Sequence, residues 1–347
     1  MGLREYTIRR VLTGLVTLFV ILIFNWVIFR LPSFVTGIDP VWFYVIQQIQ
    51  AGQQDPRRFI TLLIRYKQQW KLPGLHAPLG LWIDHIITYL KNMFTFNFGR
   101  TTKVEQNALI APLLARRIVV SVFLLLPATL ISIAIGIMLG VKLGANPGSR
   151  LDVIMMSLAL MLYSIPTFWL QVLLKGLLAG EIQIWPSIGG LASLAQIGAQ
   201  ASDPLISFID AFYMISLPVL TLVLASFAGW MILMRGSLMD VMGEDFILTA
   251  KAKGLDEATI LYKHAFRNAI LPVVTGVVLA IAGVWTGAVI TETIFSIPGV
   301  GRLLLSAILN LDYPLCETTF YFIALTTIFA NIIADISYAL LDPRVRY

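Results

Sequence analysis

Residue types that support metal, nucleophilic or acid–base chemistry are sparse and scattered in this sequence. The three histidines are His76, His85 and His264, and no His-Glu-x-x-His pattern places two of them on one helix face. A zinc site needs three or four such ligands around one ion. Neither a Gly-x-x-x-x-Gly-Lys-Ser/Thr phosphate loop nor a Gly-x-Ser-x-Gly nucleophile turn is present. The sequence therefore predicts a non-catalytic chain with no metal site and no cofactor of its own. An intramembrane enzyme would need a nucleophile or metal-binding group of residues, and the sequence has neither.

The composition explains this scarcity. Of 347 residues, 58% are hydrophobic and only 13% are charged, whereas soluble domains carry about 25% charged residues. Several windows run at least 18 residues almost without charge, long enough to cross about 30 Å of hydrocarbon. Because lipid cannot satisfy backbone polar groups, such spans must be helices. We expect an all-α, polytopic membrane helical bundle with six transmembrane helices and an external helical segment after the first.

Hydropathy, glycines, prolines and charges together place the boundaries. The predicted spans lie near residues 9–31, 118–143, 152–180, 210–235, 272–297 and 318–341. The predicted regions are an N-terminal tail with the first span (1–31), an external segment (32–117), a five-helix core (118–341) with a cytoplasmic coupling loop (236–271), and a cytoplasmic tail (342–347).

Basic residues set the orientation of the bundle. Arginines and lysines flank the first span, the loop after the second, the loop after the fourth and the C-terminus, among them Arg9, Arg10, Lys142, Arg150, Lys263 and Arg344. Short cytoplasmic loops carry such an excess, so both termini and the loop 236–271 are predicted to be cytoplasmic. The net charge of +6 forms no clustered basic surface, which argues against nucleic-acid binding. Two stretches of the external segment, 40–50 and 81–94, have helical spacing and suggest a cap on the bundle or a surface that meets the solute.

Few polar side chains fall within the spans. Arg30 and Lys175 lie near outer helix ends, where long side chains reach the membrane surface. Asn331 and Asp335 are one turn apart, and we expect both to point into the bundle. Hydrogen bonds between helices would account for them, and a proton relay is the alternative.

Small residues and one proline mark two of the spans. Gly136, Gly140 and Gly144 form a smooth stripe that favours close helix packing. Pro166 removes a backbone hydrogen bond inside the third span and predicts a kink. We take Gly136, Gly140 and Pro166 as candidates for packing or for lining a pathway.

The stretch "TAKAKGLDEATILYKHAFRNAILP", residues 249–272, is a polar element between apolar spans. Its last 17 residues predict an amphipathic helix, and Pro272 either ends this helix or starts the next one. One face of this helix collects Ala258, Leu261, Tyr262, Ala265 and Ala269, and Lys263, Arg267 and Asn268 face away. From the residues alone it is a cytoplasmic helical hairpin or an interfacial helix.

This stretch resembles the "EAA" cytoplasmic loop of permease subunits from binding-protein-dependent ABC importers, in the form of the peptide/nickel branch. The matching positions are Thr249, Ala250, Ala252, Lys253, Gly254 and Leu255, then His264, Ala265, Arg267, Asn268, Ala269, Leu271 and Pro272. Three further segments are similar to the family in the right order: "IRRVLTGLVTL" (8–18), "TETIFSIPGVGRLLLSAILNLDYP" (291–314) and "YALLDPRVRY" (338–347). The chain departs from the pattern after the first span, where "LPSFVTGIDP" replaces a Pro-Gly-Asp-Pro turn, and near Leu248 and Thr249, where the naming glutamate is absent.

The resemblance implies a function and a set of partners. The chain would be a permease of a prokaryotic cell membrane, paired with a second homologous permease, two ATPase subunits that bind ATP and Mg²⁺, and an external solute-binding protein. Its solutes would be peptides, nickel complexes or oligosaccharides. Contact with the ATPase would fall on Thr249, Ala250, Lys251, Ala252, Lys253, Gly254 and Leu255, with a short helix over 244–253 and a turn at Gly254 that favours positive φ. An ion-coupled secondary transporter or channel is the alternative, and it would require paired charges or broken helices at the membrane midplane.

Overall fold

A computed structural model describes residues 3–36, 78–105, 107–183, 185 and 204–341, and within those ranges it is helical apart from turns and one isolated antiparallel bridge. The helices are α1 Leu3–Thr36, α2 Leu79–Phe94, α3 Ile110–Ala145, α4 Arg150–Ser164, α5 Thr167–Glu181, α6 Pro204–Met242, α7 Asp245–Ala252, α8 Glu257–Thr286, α9 Val289–Ile294, α10 Val300–Leu309 and α11 Tyr313–Leu341. The predicted all-α class is confirmed.

Among the residues that the structure describes, five helices are long and apolar enough to cross a membrane: α1, α3, α6, α8 and α11. The pair α4 and α5 passes the same test together and makes a sixth span if it is counted as one. The chain is therefore a polytopic helical membrane bundle, with five or six candidate spans in its described part, in agreement with the predicted architecture.

Pro166 has a larger effect than the predicted kink. The axes of α4 and α5 differ by 94° across a break at residues 165–166. Ile165 is extended, with ψ 127°, as expected before a proline, and Pro166 caps α5. The third span is therefore broken into two helices.

The predicted fifth span, 272–297, is not one continuous helix. Helix α8 begins at Glu257 and ends at Thr286, and it passes through Pro272, which neither ends nor starts a helix. A proline removes only one donor, and long membrane helices accommodate it. At Gly287, φ is +77°, a left-handed conformation that ends α8 before the separate helix α9.

The chain divides into two compact units. The first comprises residues 1–10, 118–302 and 329–347. Its apolar core includes a cluster in which Leu124 of α3 and Leu217 of α6 pack with Phe295 and Ile297, all of them buried.

The second unit comprises residues 11–117 and 303–328. Helix α2 confirms the helix predicted over 81–94, and it is held to α1 by buried hydrogen bonds. Asn25 Nδ2 donates to the Tyr89 hydroxyl at 2.9 Å, and Trp26 Nε1 donates to His85 Nδ1 at 2.9 Å. The stretch 40–50 and the tail 342–347 lie outside the described residues.

Candidate functional site

The short helix α7 carries the centre of the predicted coupling loop. Ile247 and Ala250 are buried on its inner face, in a cluster with Leu238 of α6 and with Ile260 and Ala265 of α8. Burial of two apolar side chains fixes the rotation of α7 about its axis.

A glycine turn ends α7 and leads directly into α8. Gly254 has φ +75°, its N–H donates to the Lys251 carbonyl at 2.9 Å, and the Leu255 N–H donates to the Ala250 carbonyl at 3.4 Å. These two bonds form a Schellman motif, in which glycine occupies the left-handed position. Asp256 then caps α8 by accepting the Thr259 N–H at 2.9 Å. The positive φ predicted at Gly254 is confirmed.

The outer side of this segment is apolar and basic. Leu248 is 59% exposed, and Phe246 and Leu255 are also exposed. Six of the seven predicted coupling residues share this exposure, namely Thr249, Lys251, Ala252, Lys253, Gly254 and Leu255. Ala250 differs because it is buried, so its place in the motif serves the packing of α7.

The predicted apolar face of the following helix is correct only in part. Ala265 and Ala269 are buried, and Lys263, Arg267 and Asn268 are exposed, as expected. Ala258 and Tyr262, however, are exposed, and the buried positions missed by the sequence pattern are Ile260 and Val273. Residues 260–265 form a π-helical turn, which changes the angular spacing on which the prediction rested.

The glycine stripe of α3 lies directly against α6. A Cβ at Gly136 would come within 2.3 Å of the Trp230 Cβ, and one at Gly140 would come within 2.6 Å of the Met234 Cβ. At Gly144 the nearest atom would be the Arg235 carbonyl oxygen at 3.1 Å. The two helices approach so closely that no side chain fits between them at Gly136 or Gly140.

A buried carboxylate organises the chain beyond the end of α8. Glu292 of α9 is fully buried, and its Oε1 accepts the Ser121 hydroxyl at 2.7 Å and the Ala288 N–H at 3.1 Å. Its Oε2 accepts the Arg302 N–H at 2.8 Å. A Cβ at Gly299 would lie 2.4 Å from the carboxyl group. One side chain therefore joins α3, α9 and the first turn of α10, and glycine provides the room for it.

Comparison with protein families shows to which family the chain belongs. The model of the family described as "Binding-protein-dependent transport system inner membrane component" matches residues 132–347. The chain belongs to this family. The match begins in α3 and includes α7, the glycine turn and Glu292, whereas Ser121 lies before it.

Curated relatives of this inner membrane component extend the likeness. The oligopeptide transport system permease protein AppB of Bacillus subtilis is 31% identical over 342 residues, which is 99% of each chain. The oligopeptide transport system permease protein OppB of Haemophilus influenzae is 31% identical over 343 residues, again 99% of each chain. The dipeptide transport system permease protein DppB of Escherichia coli is 35% identical over 232 residues, which is 63% of this chain and 68% of that protein. The resemblance to permeases of the peptide branch is confirmed, and the chain is a multi-pass membrane component of a prokaryotic transport system.

Sequence reasoning missed the ion pair between Asp152 and Arg235. Asp152 is 2% exposed, and its two oxygens meet Arg235 Nε at 2.6 Å and Nη2 at 2.7 Å. Asp152 Oδ2 also accepts the Gly148 N–H at 2.8 Å. The bidentate pair joins the first turn of α4 to α6. Each residue lies near a predicted helix end, so the sequence offered no reason to pair them.

The structure gives the surroundings of three polar residues that were predicted to lie in the spans. Lys175 does not simply extend to the membrane surface, because its ammonium group donates to the Ile294 carbonyl and lies 5.7 Å from the centre of the Phe295 ring. Asn331 is exposed on α11, so the prediction that it points into the bundle is wrong for this chain. Asp335 is partly exposed and forms an ion pair with Arg10, at 3.4 Å from Oδ2 to Nε.

Proposed function

We propose that this chain is a permease subunit of an ATP-driven importer and forms part of the membrane pathway for peptides. The named relatives that it matches over nearly its whole length are oligopeptide transport permeases, which supports peptides over the nickel complexes or oligosaccharides that the wider branch suggests. In this proposal an external binding protein delivers the solute, and the chain itself performs no bond chemistry.

The observation that carries the proposal is the outer surface of α7. A helix held by two buried side chains, with exposed Leu248 and Leu255 beside lysines, is suited to a groove on another protein. Apolar side chains at the centre of a contact and charges at its rim are typical of protein interfaces. The proposed occupant of this surface is one of two ATPase subunits, and those subunits bind ATP and Mg²⁺.

A second homologous permease completes the proposed pathway. ATP binding and hydrolysis by the partners would shift the bundle between outward-open and inward-open states. Movement of the ATPase groove that holds α7 would be transmitted through α7 to α6 and α8, since Ile247 and Ala250 pack against both. Under the predicted orientation, α7 and both chain termini are cytoplasmic.

The test is an Ala252→Arg variant in the complex purified with its ATPase subunits and reconstituted with its binding protein. Ala252 is exposed on α7, so arginine leaves the fold of the permease intact while adding bulk and charge to the proposed contact. Loss of about 2.7 kcal/mol of contact weakens docking roughly a hundredfold. We expect the ATPase subunits to dissociate, or ATP hydrolysis to lose its stimulation by the loaded binding protein.

An Asn97→Arg variant serves as the matched control. Asn97 is also exposed but follows α2, in the segment predicted to lie on the opposite side of the membrane. This control should retain its ATPase subunits. Full co-purification and full stimulation in Ala252→Arg would contradict the assignment of α7 as the ATPase contact, and a secondary transporter or channel would bring no ATPase subunits in either form.

A further inference from the structure

A cleft lies where two apolar helices are interrupted. The break between α4 and α5 and the break after α8 bring the first turns of α5 and α9 together around a cavity of about 500 Å³. Its lining residues are Thr167, Phe168, Gln171, Ala288, Val289 and Ile290. In a membrane protein, interrupted helices are tolerated where the freed backbone is buried in protein or lines a cavity, and solute sites often form there.

The cleft contains a buried polar side chain with an unused hydrogen-bonding atom. Gln171 is fully buried, and its Nε2 donates to the Thr291 hydroxyl at 2.8 Å. Its Oε1 is the one buried side-chain atom without a hydrogen-bond partner in the described part of the chain. A buried carbonyl left without a partner costs about 1–3 kcal/mol. The atom has no exposed surface in this conformation, so a group in the cleft completes it only when the carboxamide rotates toward the cavity.

We infer that this cleft is a contact site for the transported peptide and that Gln171 hydrogen-bonds the peptide backbone. A carboxamide has an acceptor and a donor end, and a peptide bond offers both an N–H and a C=O. The peptide therefore satisfies the side chain in either orientation of its amide. Since every peptide has this backbone, the contact would be independent of the solute's sequence.

The rest of the lining agrees with a peptide. Phe168, Val289 and Ile290 supply apolar surface for side chains of varied kinds, beside the single polar anchor. A few polar groups in a mainly apolar wall are typical of small-molecule sites, whereas an oligosaccharide would require many hydrogen-bonding partners. The inference rests on the proposed importer function, which supplies the peptide.

Photo-crosslinking tests the position of the cleft. Phe168 and Trp169 are neighbours on α5 and are 51% and 50% exposed, but only Phe168 lines the cleft. Each is replaced in turn by p-benzoylphenylalanine in the complete complex, reconstituted with its binding protein and ATPase subunits. The probe is a mixture of radiolabelled di-, tri- and pentaalanine. We expect ATP-dependent labelling at position 168, removed by excess unlabelled peptide, and at least about fivefold less labelling at position 169.

A pair of variants tests the role of Gln171. Gln171→Met keeps the side-chain length but removes both polar atoms, and Thr291→Val breaks the same internal hydrogen bond while leaving the Gln171 carboxamide in place. Loss of one hydrogen bond to the solute should lower crosslinking at position 168 and peptide uptake about tenfold in Gln171→Met. Thr291→Val should stay within about twofold of the parent, because the orphan oxygen remains.

The outcomes separate this inference from the proposed function, because uptake into vesicles is measured in the same preparation. Uptake of the alanine peptides without labelling at position 168, or an equal loss in both variants, overturns the inference and leaves the importer function standing. Labelling at position 168 that maltotriose displaces and the peptides do not also overturns it. If the parent complex takes up none of the peptides, the proposed function fails and the inference fails with it.

Discussion

Two segments of the first unit are built in opposite ways. Helix α7 buries only Ile247 and Ala250 and turns apolar side chains such as Leu248 outward. The region around α9 instead turns polar groups inward, with Glu292 fully buried among the Ser121 hydroxyl and two backbone N–H donors. Helix α7 therefore keeps apolar side chains available to a partner at its surface, whereas the polar groups around α9 bond to one another inside the protein.

This difference separates a surface that binds from a scaffold that holds. Exposed side chains on α7 can change with little cost to the fold, because they have few contacts within the chain. Each group around Glu292 satisfies another group, so removal of one leaves several buried donors unpaired. Mutations in the two segments should therefore affect different properties, namely partner binding in α7 and stability around α9.

The largest effect is expected from Glu292→Leu. The Ser121 hydroxyl, which is buried, and the N–H groups of Ala288 and Arg302, which are partly buried, would lose their acceptor. At about 1–3 kcal/mol for each orphaned group, the variant should lose most of its folded protein. The measurement is the yield of monodisperse protein in detergent and its loss on heating, followed by size-exclusion chromatography.

Two other variants calibrate that result. Glu181→Leu makes the same substitution at an exposed position near the end of α5, and its thermal stability should equal that of the parent. Glu292→Gln keeps one acceptor oxygen but presents an amide group in place of the other, so it should fall between the two. If Glu292→Leu were as stable as Glu181→Leu, the cluster would not be a scaffold, and the contrast with α7 would disappear.

The same contrast explains what the sequence could reveal. The α7 segment was recognised because local rules govern it: Gly254 supplies positive φ, Asp256 caps α8, and the motif has a fixed spacing. The apolar spans were found for the same reason, since length and hydropathy are local properties. The glycine stripe was also visible, although its partner helix was not.

The scaffold around α9 and the ion pair between α4 and α6 were not predicted because their contacts join residues far apart in sequence. Glu292 and Ser121 are 171 positions apart, Gln171 and Thr291 are 120 apart, and Asp152 and Arg235 are 83 apart. A single sequence contains no signal for which distant polar residues meet. The available clue was negative: Glu292 and Asp152 stand in or beside apolar segments, where an unpartnered carboxylate would be costly.

A smaller effect is expected at the glycine turn after α7. No atom lies within 4 Å of a Cβ built at Gly254, so a substitution there acts on the backbone alone. At φ +75° a β-branched valine is strained, at a cost of about 1–2 kcal/mol, whereas asparagine tolerates the conformation. Limited trypsin cleavage at Lys251 and Lys253 should be roughly tenfold faster in Gly254→Val than in the parent and nearly unchanged in Gly254→Asn. The same strain lowers the global unfolding free energy of Gly254→Val by about 1–2 kcal/mol, which shifts the melting temperature of a chain of this size by only a few degrees. Gly254→Asn should melt with the parent, and a loss of many degrees in either variant would show that the turn belongs to the scaffold.

The smallest effect concerns the cap that begins α8, and it depends on pH. Hydrogen bonds from the Thr259 side chain and from the Thr259 N–H hold the pKa of Asp256 below its ordinary value. A carboxylate whose pKa is lower in the folded state stabilises that state above its unfolded pKa, and the stabilisation is lost as the pH falls through the folded pKa. Because an aspartate in an unfolded chain has a pKa of about 3.9, the cap should be complete at pH 7 and pH 5 and weaken below about pH 4.

The measurement is hydrogen exchange of the Thr259 amide, corrected for the intrinsic dependence of exchange on pH. Asp256→Asn keeps a neutral acceptor and should show no such dependence, whereas Asp256→Ala should expose the amide at every pH. Exchange of the Ala265 and Ala269 amides, deeper in α8, should not change in any of these forms. If protection of those amides were also lost with the cap, the helix that follows α7 would unfold as one cooperative unit. The α7 segment would then be as cooperative as the scaffold around α9, and the two would differ only in exposure.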